Sequence, residues 1–270
     1  MAESSQTHHQ VFRPETLSEL FSIWNRIPDA VPYAGGTFLI RKQTEMPSDI
    51  LSLEKIAELH SITRTERYLE IGSTVHLGEI IALGKIVPNA FSLTLQGIAN
   101  PPVRNITTIG GNVCTGGDTT APLCALDALY ELRTSDGSRW ISAHRFSKTS
   151  LQNNELLTRI RIPLEEWNYT VYRKFNASDS GGEGGVLILI VQNQKTTLSK
   201  IQVVFAGTQL FRNKDSEVML EGKALPLDMR DVVLFKKHWE EYLENLEKPG
   251  LFLRNKILNS IETGIAELLD

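Results

Sequence analysis

The stretch TTIGGNVCTGGD, residues 107–118, and the stretch PYAGGTFLI, residues 32–40, each place a Gly-Gly pair ahead of a small polar residue. Paired glycines lack Cβ atoms, so the backbone can adopt positive φ and approach a ligand closely. Successive N–H groups of such turns can converge on an anion. The side chains of Thr37, Thr108 and Asn112 can add hydrogen bonds to phosphate or ribose oxygens. We interpret the two stretches as halves of one diphosphate site, although either alone is also typical of an ordinary loop.

The composition is that of a globular protein. The chain has 270 residues, of which 41% are hydrophobic and 22% charged, and its net charge of -4 argues against nucleic-acid binding. Its N-terminus lacks the basic start and apolar segment of a signal peptide. The longest apolar run, VLILIV at 186–191, is too short to span a bilayer. We therefore predict a soluble, cytoplasmic protein with no membrane span.

Motifs for several other chemistries are absent. The sequence has no G-x-G-x-x-G, P-loop, G-x-S-x-G, H-E-x-x-H or EF-hand pattern. Cys114 and Cys124 lack the spacing of a zinc or iron–sulfur site, and we expect two ordinary thiols rather than a disulfide. His76 and Glu79 could form a metal pair on a predicted helix, but the lack of a third ligand favours a solvated face. We predict no metal site and assign no catalytic acid or base.

Hydrophobic periodicity predicts mixed α and β structure up to residue 165. The order strand, helix, strand, short helix, strand is expected up to about residue 60, with the first helix in LSELFSIWNRI. SITRT and YLEIGST should form a hairpin, HLGEIIALGKI a helix, and PLCALDALYELRT a helix followed by a strand. Asp136-Gly137 predicts a hairpin turn, and ELLTRIRIP a strand. Pro101-Pro102 is expected to exclude a helix and to require an extended lead-in.

The C-terminal part is predicted as three long strands followed by two helices. The strands are YTVYRKF, GVLILIVQ and SKIQVVFAG, and the loop NASDSGGEGG separates the first two. Residues 228–247 and 252–269 have helical patterns, with Lys248-Pro249-Gly250 between them. These patterns place domain boundaries near residues 58 and 165.

AGGT at 34–37 and TIGGN at 108–112 resemble the two FAD-binding signatures of the flavin subunits of molybdenum hydroxylases. That family includes the xanthine dehydrogenase FAD subunit and the medium subunit of aerobic carbon monoxide dehydrogenase. The resemblance covers nearly the whole chain and includes, in the same order, IGSTVHLGEI at 71–80, PPVRN at 101–105, ALDA at 125–128 and ELLTRIRIP at 155–163.

The resemblance implies an α+β fold. A two-lobed FAD-binding domain of the p-cresol methylhydroxylase / vanillyl-alcohol oxidase type would be followed by an α+β C-terminal domain with an antiparallel sheet plus helices. Residues 1–58 would form lobe 1, residues 59–165 lobe 2, and residues 166–270 the C-terminal flavin-subunit domain. FAD would lie extended between the two lobes.

The resemblance also implies roles for individual residues. The first turn, Tyr33–Leu39, and the second, Thr108–Asn112, would hold the diphosphate. Asp118 would bond sugar or ribityl hydroxyls, and Lys174 would reach the flavin. Alternative interpretations stay open: Ile98 and Leu157 are also compatible with the core, Lys174 with a solvated strand, and Asp118 with an ordinary loop. The full predicted cofactor-binding set is Tyr33, Ala34, Gly35, Gly36, Thr37, Phe38, Leu39, Ile98, Thr108, Ile109, Gly110, Gly111, Asn112, Asp118, Leu157 and Lys174.

The sequence departs from the family pattern at two places. The loop between Asn112 and Asp118 is a few residues shorter than in relatives, which leaves its contact to FAD open. After Lys174, where relatives often carry charged residues near the flavin ring, this chain has DSGGEGG at 179–185. The tuning of the ring and the use of NAD+ as acceptor are therefore open. Two cysteines cannot supply the four thiolates of the extra iron–sulfur cluster that some relatives carry.

By resemblance, the chain is an oxidoreductase subunit that transfers electrons within a heteromeric complex. Partner chains would carry the [2Fe-2S] clusters and the molybdenum cofactor, and the acceptor would be NAD+, oxygen, a quinone or another carrier. Two alternatives stay open: a degenerate FAD-domain protein with an assembly or scaffold role, and a stand-alone FAD oxidase. The short segment that follows the predicted lobes argues against the oxidase, because such enzymes usually have a larger substrate domain.

Overall fold

The computed structural model describes residues 10–42, 46–146, 151–179 and 182–269. The chain divides into two compact units. Unit 1 comprises Met1–Leu83, Ala99–Thr115 and Leu129–Ile162, and unit 2 comprises Gly84–Ile98, Gly116–Ala128 and Pro163–Asp270. The predicted boundaries near residues 58 and 165 stay predictions.

Unit 1 contains two sheets within the described ranges. In the first sheet, β3 pairs in parallel with β1 on one side and β2 on the other. Its strands are β1 (Gln10–Phe12), β2 (Val31–Tyr33) and β3 (Asp49–Ser52). The second sheet has five strands, namely β4 (Ile62–Arg64), β5 (Tyr68–Gly72), β6 (Leu129–Arg133), β7 (Ser138–Ser142) and β8 (Leu156–Pro163), in the order β4-β5-β8-β6-β7. The predicted hairpins β4–β5 and β6–β7 are confirmed.

The first helix of unit 1, α1 (Leu17–Arg26), illustrates why these segments fold as they do. Thr16 caps it by accepting a hydrogen bond from the Glu19 N–H at 3.1 Å. Leu17, Leu20 and Trp24 recur at helical spacing, and all three are buried in an apolar cluster that includes Leu51 of β3. The helix predicted from this periodicity is therefore confirmed.

The described part of unit 1 holds four further short α-helices. They are α2 (Thr37–Lys42), α3 (Leu77–Ala82), α5 (Pro101–Arg104) and α6 (Ile109–Cys114). The expectation that Pro101-Pro102 excludes a helix was wrong, because both prolines occupy the first turn of α5, where no intrahelical N–H bond is lost. The expected extended lead-in is present at Asn100, which caps α5 through its side chain at 3.1 Å from the Val103 nitrogen.

Unit 2 is built on an antiparallel sheet. Its strands are β9 (Tyr169–Phe175), β10 (Gly185–Gln194), β11 (Thr197–Ala206) and β12 (Leu210–Phe211), in the order β12-β11-β10-β9. Its helices are α4 (Asn89–Gly97), α7 (Thr120–Ala125), α8 (Lys214–Leu220), α9 (Met229–Glu244) and α10 (Leu251–Ala266). Phe235 and Trp239 of α9 and Ile257 of α10 are fully buried with the inward side chains of the sheet. The predicted α+β class, including the C-terminal antiparallel sheet with two long helices, is confirmed.

A buried arginine fastens α7 within unit 2. The Arg212 guanidinium lies 2.8 Å from Asp127, donates to the Cys124 carbonyl at 3.2 Å and binds both carboxylate oxygens of Glu217 at 3.0–3.1 Å. Burial acts to raise the pKa of Asp127, but the hydrogen bond and charge of Arg212 lower it overall. The end of α7 is thus fixed beside α8 and the sheet.

Over the described residues, no helix is long and apolar enough to cross a membrane.

Candidate functional site

The first glycine turn joins β2 to α2. β2 ends at Tyr33 and α2 begins at Thr37, so the glycines occupy the connection between a parallel strand and a helix. Gly36 has φ +68°, and the Tyr33 hydroxyl lies where a side chain at this position would project. A Cβ on Gly35 would coincide with the carbonyl oxygen of Ile106. The predicted residues of this turn, Tyr33–Leu39, are all half-buried.

The second glycine turn forms the start of α6. Thr108 caps this helix by accepting a hydrogen bond from the Gly111 N–H at 3.2 Å. The Ile109 N–H donates to the Val75 carbonyl at 2.9 Å, and the Gly110 N–H donates to the Ser73 carbonyl at 2.8 Å. These two amides therefore anchor α6 to the segment after β5. Gly111, in contrast, is exposed and offers bare backbone at the surface.

Two further contacts explain the residue types in the second turn. A Cβ on Gly110 would lie 2.7 Å from the Ser73 Cβ and 2.8 Å from the Ser73 carbonyl oxygen, so this position has no room for a side chain. His76 forms an isolated antiparallel β-bridge with Thr108, which fixes the start of the turn against the start of α3. Gly110 thus allows close packing against Ser73, and Gly111 leaves its backbone exposed at the surface.

The two turns meet inside unit 1. The Thr107 hydroxyl lies 3.3 Å from the Thr37 hydroxyl, across a sequence separation of 70 residues. Together with the contact between Gly35 and Ile106, this places both Gly-Gly stretches side by side. Thr107 is absent from the sequence-predicted set. The repeated Thr in TTIGGN could have indicated it. Thr108 caps α6, so the neighbouring Thr107 hydroxyl is available for another contact.

Leu157 belongs to β8 of the five-stranded sheet. It is 2% exposed in β8 and pairs in register with Leu132 of β6. Its burial agrees with the core interpretation left open by the sequence, and its predicted contact to the cofactor stays a prediction.

Within unit 2, the remaining predicted residues form a second cluster. Lys174 Nζ lies 2.8 Å from Asp118 Oδ2 and donates to the Gly97 carbonyl at 2.9 Å. Ile98 follows Gly97 directly at the end of α4 and is buried. The Lys174 and Asp118 side chains are 33% and 30% exposed, so the ion pair is reachable by solvent or a ligand.

Tyr172 joins this cluster and was missed by the sequence prediction. Its hydroxyl lies where a Cβ on Gly97 would project. Burial, and after it the charge of Asp118, raises the pKa of the Tyr172 phenol, so the hydroxyl keeps its proton at neutral pH. The signal was its position two residues before Lys174 in β9, since residues i and i+2 of a strand share a face. The cluster therefore offers a cation and a carboxylate to a polar ligand, whereas the Tyr172 hydroxyl beside them is buried.

Comparison with known proteins identifies relatives of this chain. The family model described as the FAD binding domain in molybdopterin dehydrogenase matches residues 5–165, which is more than half of the chain. The nicotinate dehydrogenase FAD-subunit of Eubacterium barkeri is 22% identical over 280 aligned positions, which cover 93% of each chain. The xanthine dehydrogenase FAD-binding subunit of Escherichia coli O157:H7 is 29% identical over 164 positions, which cover 56% of each chain.

Solved structures show the same fold. A chain of carbon monoxide dehydrogenase from Hydrogenophaga pseudoflava, in a form that lacks the Mo-pyranopterin moiety, matches with a TM-score of 0.81 and 21% identity, covering 97% of this chain and 96% of that one. The predicted resemblance is thereby confirmed. The matched family consists of oxidoreductases that bind FAD. Because its model spans both glycine turns, the chain belongs to the family of FAD-binding domains in molybdopterin dehydrogenases, and its cofactor is FAD.

Proposed function

We propose that this chain is the FAD-binding electron-transfer subunit of a molybdenum hydroxylase complex. It would take electrons from [2Fe-2S] clusters of a small partner subunit, next to a large partner that carries the molybdenum cofactor, and pass them to NAD+ or another acceptor in the cytoplasm. The observation that carries the proposal is the meeting of the two glycine turns, with Gly35 against Ile106 and the Thr37 and Thr107 hydroxyls 3.3 Å apart. An extended dinucleotide needs such a place where bare backbone and hydroxyl groups converge.

The groups of unit 1 fit the diphosphate of FAD. Thr37 and Phe38 begin α2, and the first-turn N–H groups of a helix have no intrahelical acceptor and attract anions. From the second turn we assign the ligand contacts to the exposed peptide of Gly111 and to the side chains of Thr108 and Asn112. The N–H groups of Gly111 and Asn112 are bonded to Thr108. The amides of Ile109 and Gly110 are engaged with carbonyls, so their part is to hold the turn in place.

The assignments in unit 2 rest on the resemblance to the family. We assign Asp118 to a sugar or ribityl hydroxyl and Lys174 to the flavin, with Ile98 as an apolar contact. FAD, when bound, supplies the redox chemistry. The chain binds and orients it, and the Asp118 carboxylate offsets the charge of Lys174 at 2.8 Å.

The first test is a flavin titration of the cofactor-free chain, followed by visible absorbance and quenching of flavin fluorescence. We expect saturation at one FAD per chain. FMN, which lacks the second phosphate and the adenosine, should bind at least about 100-fold more weakly, because the contacts of the turns to the second phosphate are lost. Equal affinity for FMN and FAD, or failure to take up FAD, would contradict the proposal and favour the degenerate scaffold.

A matched pair of variants locates the binding contacts. Thr37→Val keeps the side-chain shape and removes the hydroxyl, and we expect FAD affinity to fall about tenfold, as for the loss of one hydrogen bond to a charged group. Thr263→Val makes the same change on the exposed face of α10 and should leave affinity unchanged. The acceptor is then identified by mixing the reduced, FAD-loaded chain with NAD+, oxygen or a quinone in separate stopped-flow runs.

A further inference from the structure

Three side chains of unit 1 that the flavin site does not use point towards one another. Glu79 Oε2 lies 3.1 Å from His60 Nε2, and Glu79 Oε1 lies 2.6 Å from His76 Nδ1. One ligand atom from each of the three residues lies within 4.8 Å of the others. The sequence favoured a solvated helix face at His76 and Glu79 because it offered no third ligand. The fold supplies that ligand as His60.

The backbone that carries these side chains is firmly held. His60 ends a short 3-10 helix, Ala57–His60, and His76 caps α3. The neighbours of the two histidines are joined by a hydrogen bond from the Thr74 N–H to the Leu59 carbonyl at 3.0 Å. Leu59 and Val75, beside the histidines, are fully buried. The backbone at both histidines is therefore fixed before any ion binds, which lowers the entropic cost of ion binding.

The donor set selects a class of ion. Two imidazoles and one carboxylate suit zinc and its first-row neighbours, whereas magnesium and calcium prefer oxygen ligands. The three side chains are 35–44% exposed, so water has access to complete the coordination. Partial burial acts to raise the pKa of Glu79, but hydrogen bonds from His76 and the proximity of His60 keep it below its ordinary value. The carboxylate is thus ionised at neutral pH.

We propose that His60, His76 and Glu79 form a binding site for a divalent transition-metal ion of the zinc class, with His60 Nε2, His76 Nδ1 and a Glu79 carboxylate oxygen as protein ligands. A bound ion would take the place of the two imidazole–carboxylate hydrogen bonds, with each coordinating nitrogen presenting its lone pair to the metal. The observations that support this site do not include the flavin site, so the proposal would stand if the proposed electron-transfer role were wrong.

The test is titration of the full chain with Co²⁺, followed by its visible absorption, with Zn²⁺ competition measured by calorimetry. We expect one ion to bind per chain. His60→Gln and Glu79→Gln should each weaken binding about tenfold or more, because each removes one ligand. Gln at position 79 keeps the side-chain acceptor for the His76 N–H, so this variant should still fold. His238→Gln, on α9 in unit 2, is the matched control and should bind like the unaltered chain.

The sequence also contains His8 and His9 near its start, and they require their own control. The double variant His8→Ala, His9→Ala should retain the site. Loss of binding in that variant would overturn the proposal, and so would unchanged binding in both His60→Gln and Glu79→Gln. An absence of saturable Co²⁺ and Zn²⁺ binding to the unaltered chain would also overturn it. Melting temperatures of all variants without metal establish that each is folded.

Discussion

At the scale of single residues, Gly35 is the position where the two turns leave least space. Its missing side chain admits the Ile106 carbonyl oxygen, so Gly35→Ala must push β2 and the segment before α6 apart. We expect a loss of about 1–3 kcal/mol in unfolding free energy, typical of overpacking, together with weaker FAD binding. Urea denaturation and flavin titration measure the two effects.

Gly137→Ala is the comparison for this variant. Gly137 lies in the exposed turn between β6 and β7, and nothing within 4 Å would meet an added Cβ. The change there should leave both stability and flavin affinity nearly unaltered. If Gly35→Ala behaved in the same way, the close approach of the two turns could not be what shapes the site.

At the scale of secondary-structure elements, the buried arginine between α7 and α8 should carry a large share of the stability of unit 2. Arg212→Met leaves the Glu217 carboxylate, whose side chain is 5% exposed, without its cation. We expect a loss of about 3–5 kcal/mol in unfolding free energy, measured by urea denaturation. Adding Glu217→Gln should restore part of it, because a neutral amide costs less to bury than an unpaired carboxylate.

Lys55→Met serves as the control for this experiment. It removes an ion pair with Glu15 in which the N–O distance is 3.5 Å and the side chains are 54% and 71% exposed. Such a pair is screened by water and should contribute less than about 1 kcal/mol. If the Arg212 and Lys55 variants had equal unfolding free energies, the buried Arg212 network would contribute no more to stability than an exposed ion pair.

The elements that sequence predicted well are those with a regular apolar period. β10 is apolar from Val186 to Val191, β11 is buried from Ile201 to Ala206, and α1 keeps one apolar face, so tertiary packing agrees with the local pattern. α5 was mispredicted because two prolines were weighed as helix breakers without regard to their position in the first turn. α6, with two glycines in six residues, has little intrinsic helix preference and depends on its contacts to Ser73 and Val75.

The candidate site was predictable in part for similar reasons. Glycine pairs report a close backbone approach, and they identified both turns. Contacts between side chains distant in sequence, such as Thr37 with Thr107 or His60 with Glu79, depend on how the strands and helices are arranged. No local pattern contains that information, so the third ligand of the histidine cluster could be identified only from the fold.

At the scale of the whole molecule, the chain passes between units more often than a simple division at residue 165 implies. Gly84–Ile98 and Gly116–Ala128 belong to unit 2, where α4 contacts β9 and α7 contacts β10 and β11. A protein ending at residue 165 would expose Phe91, Leu95 and Leu123, which are now fully buried. We expect it to aggregate or to bind a hydrophobic dye, measured by size-exclusion chromatography and dye fluorescence beside the full chain. A monodisperse fragment with cooperative unfolding would instead support the predicted boundary.

The β-bridge between His76 and Thr108 has a thermodynamic consequence. One partner belongs to the histidine cluster and the other caps the second glycine turn, so an occupant of either location restricts the same few peptide units. Ordering them once lowers the entropic cost of the next binding event. Thermodynamic linkage then relates the two affinities. If a bound zinc-class ion changes the dinucleotide affinity by some factor, bound dinucleotide changes the affinity for the ion by the same factor.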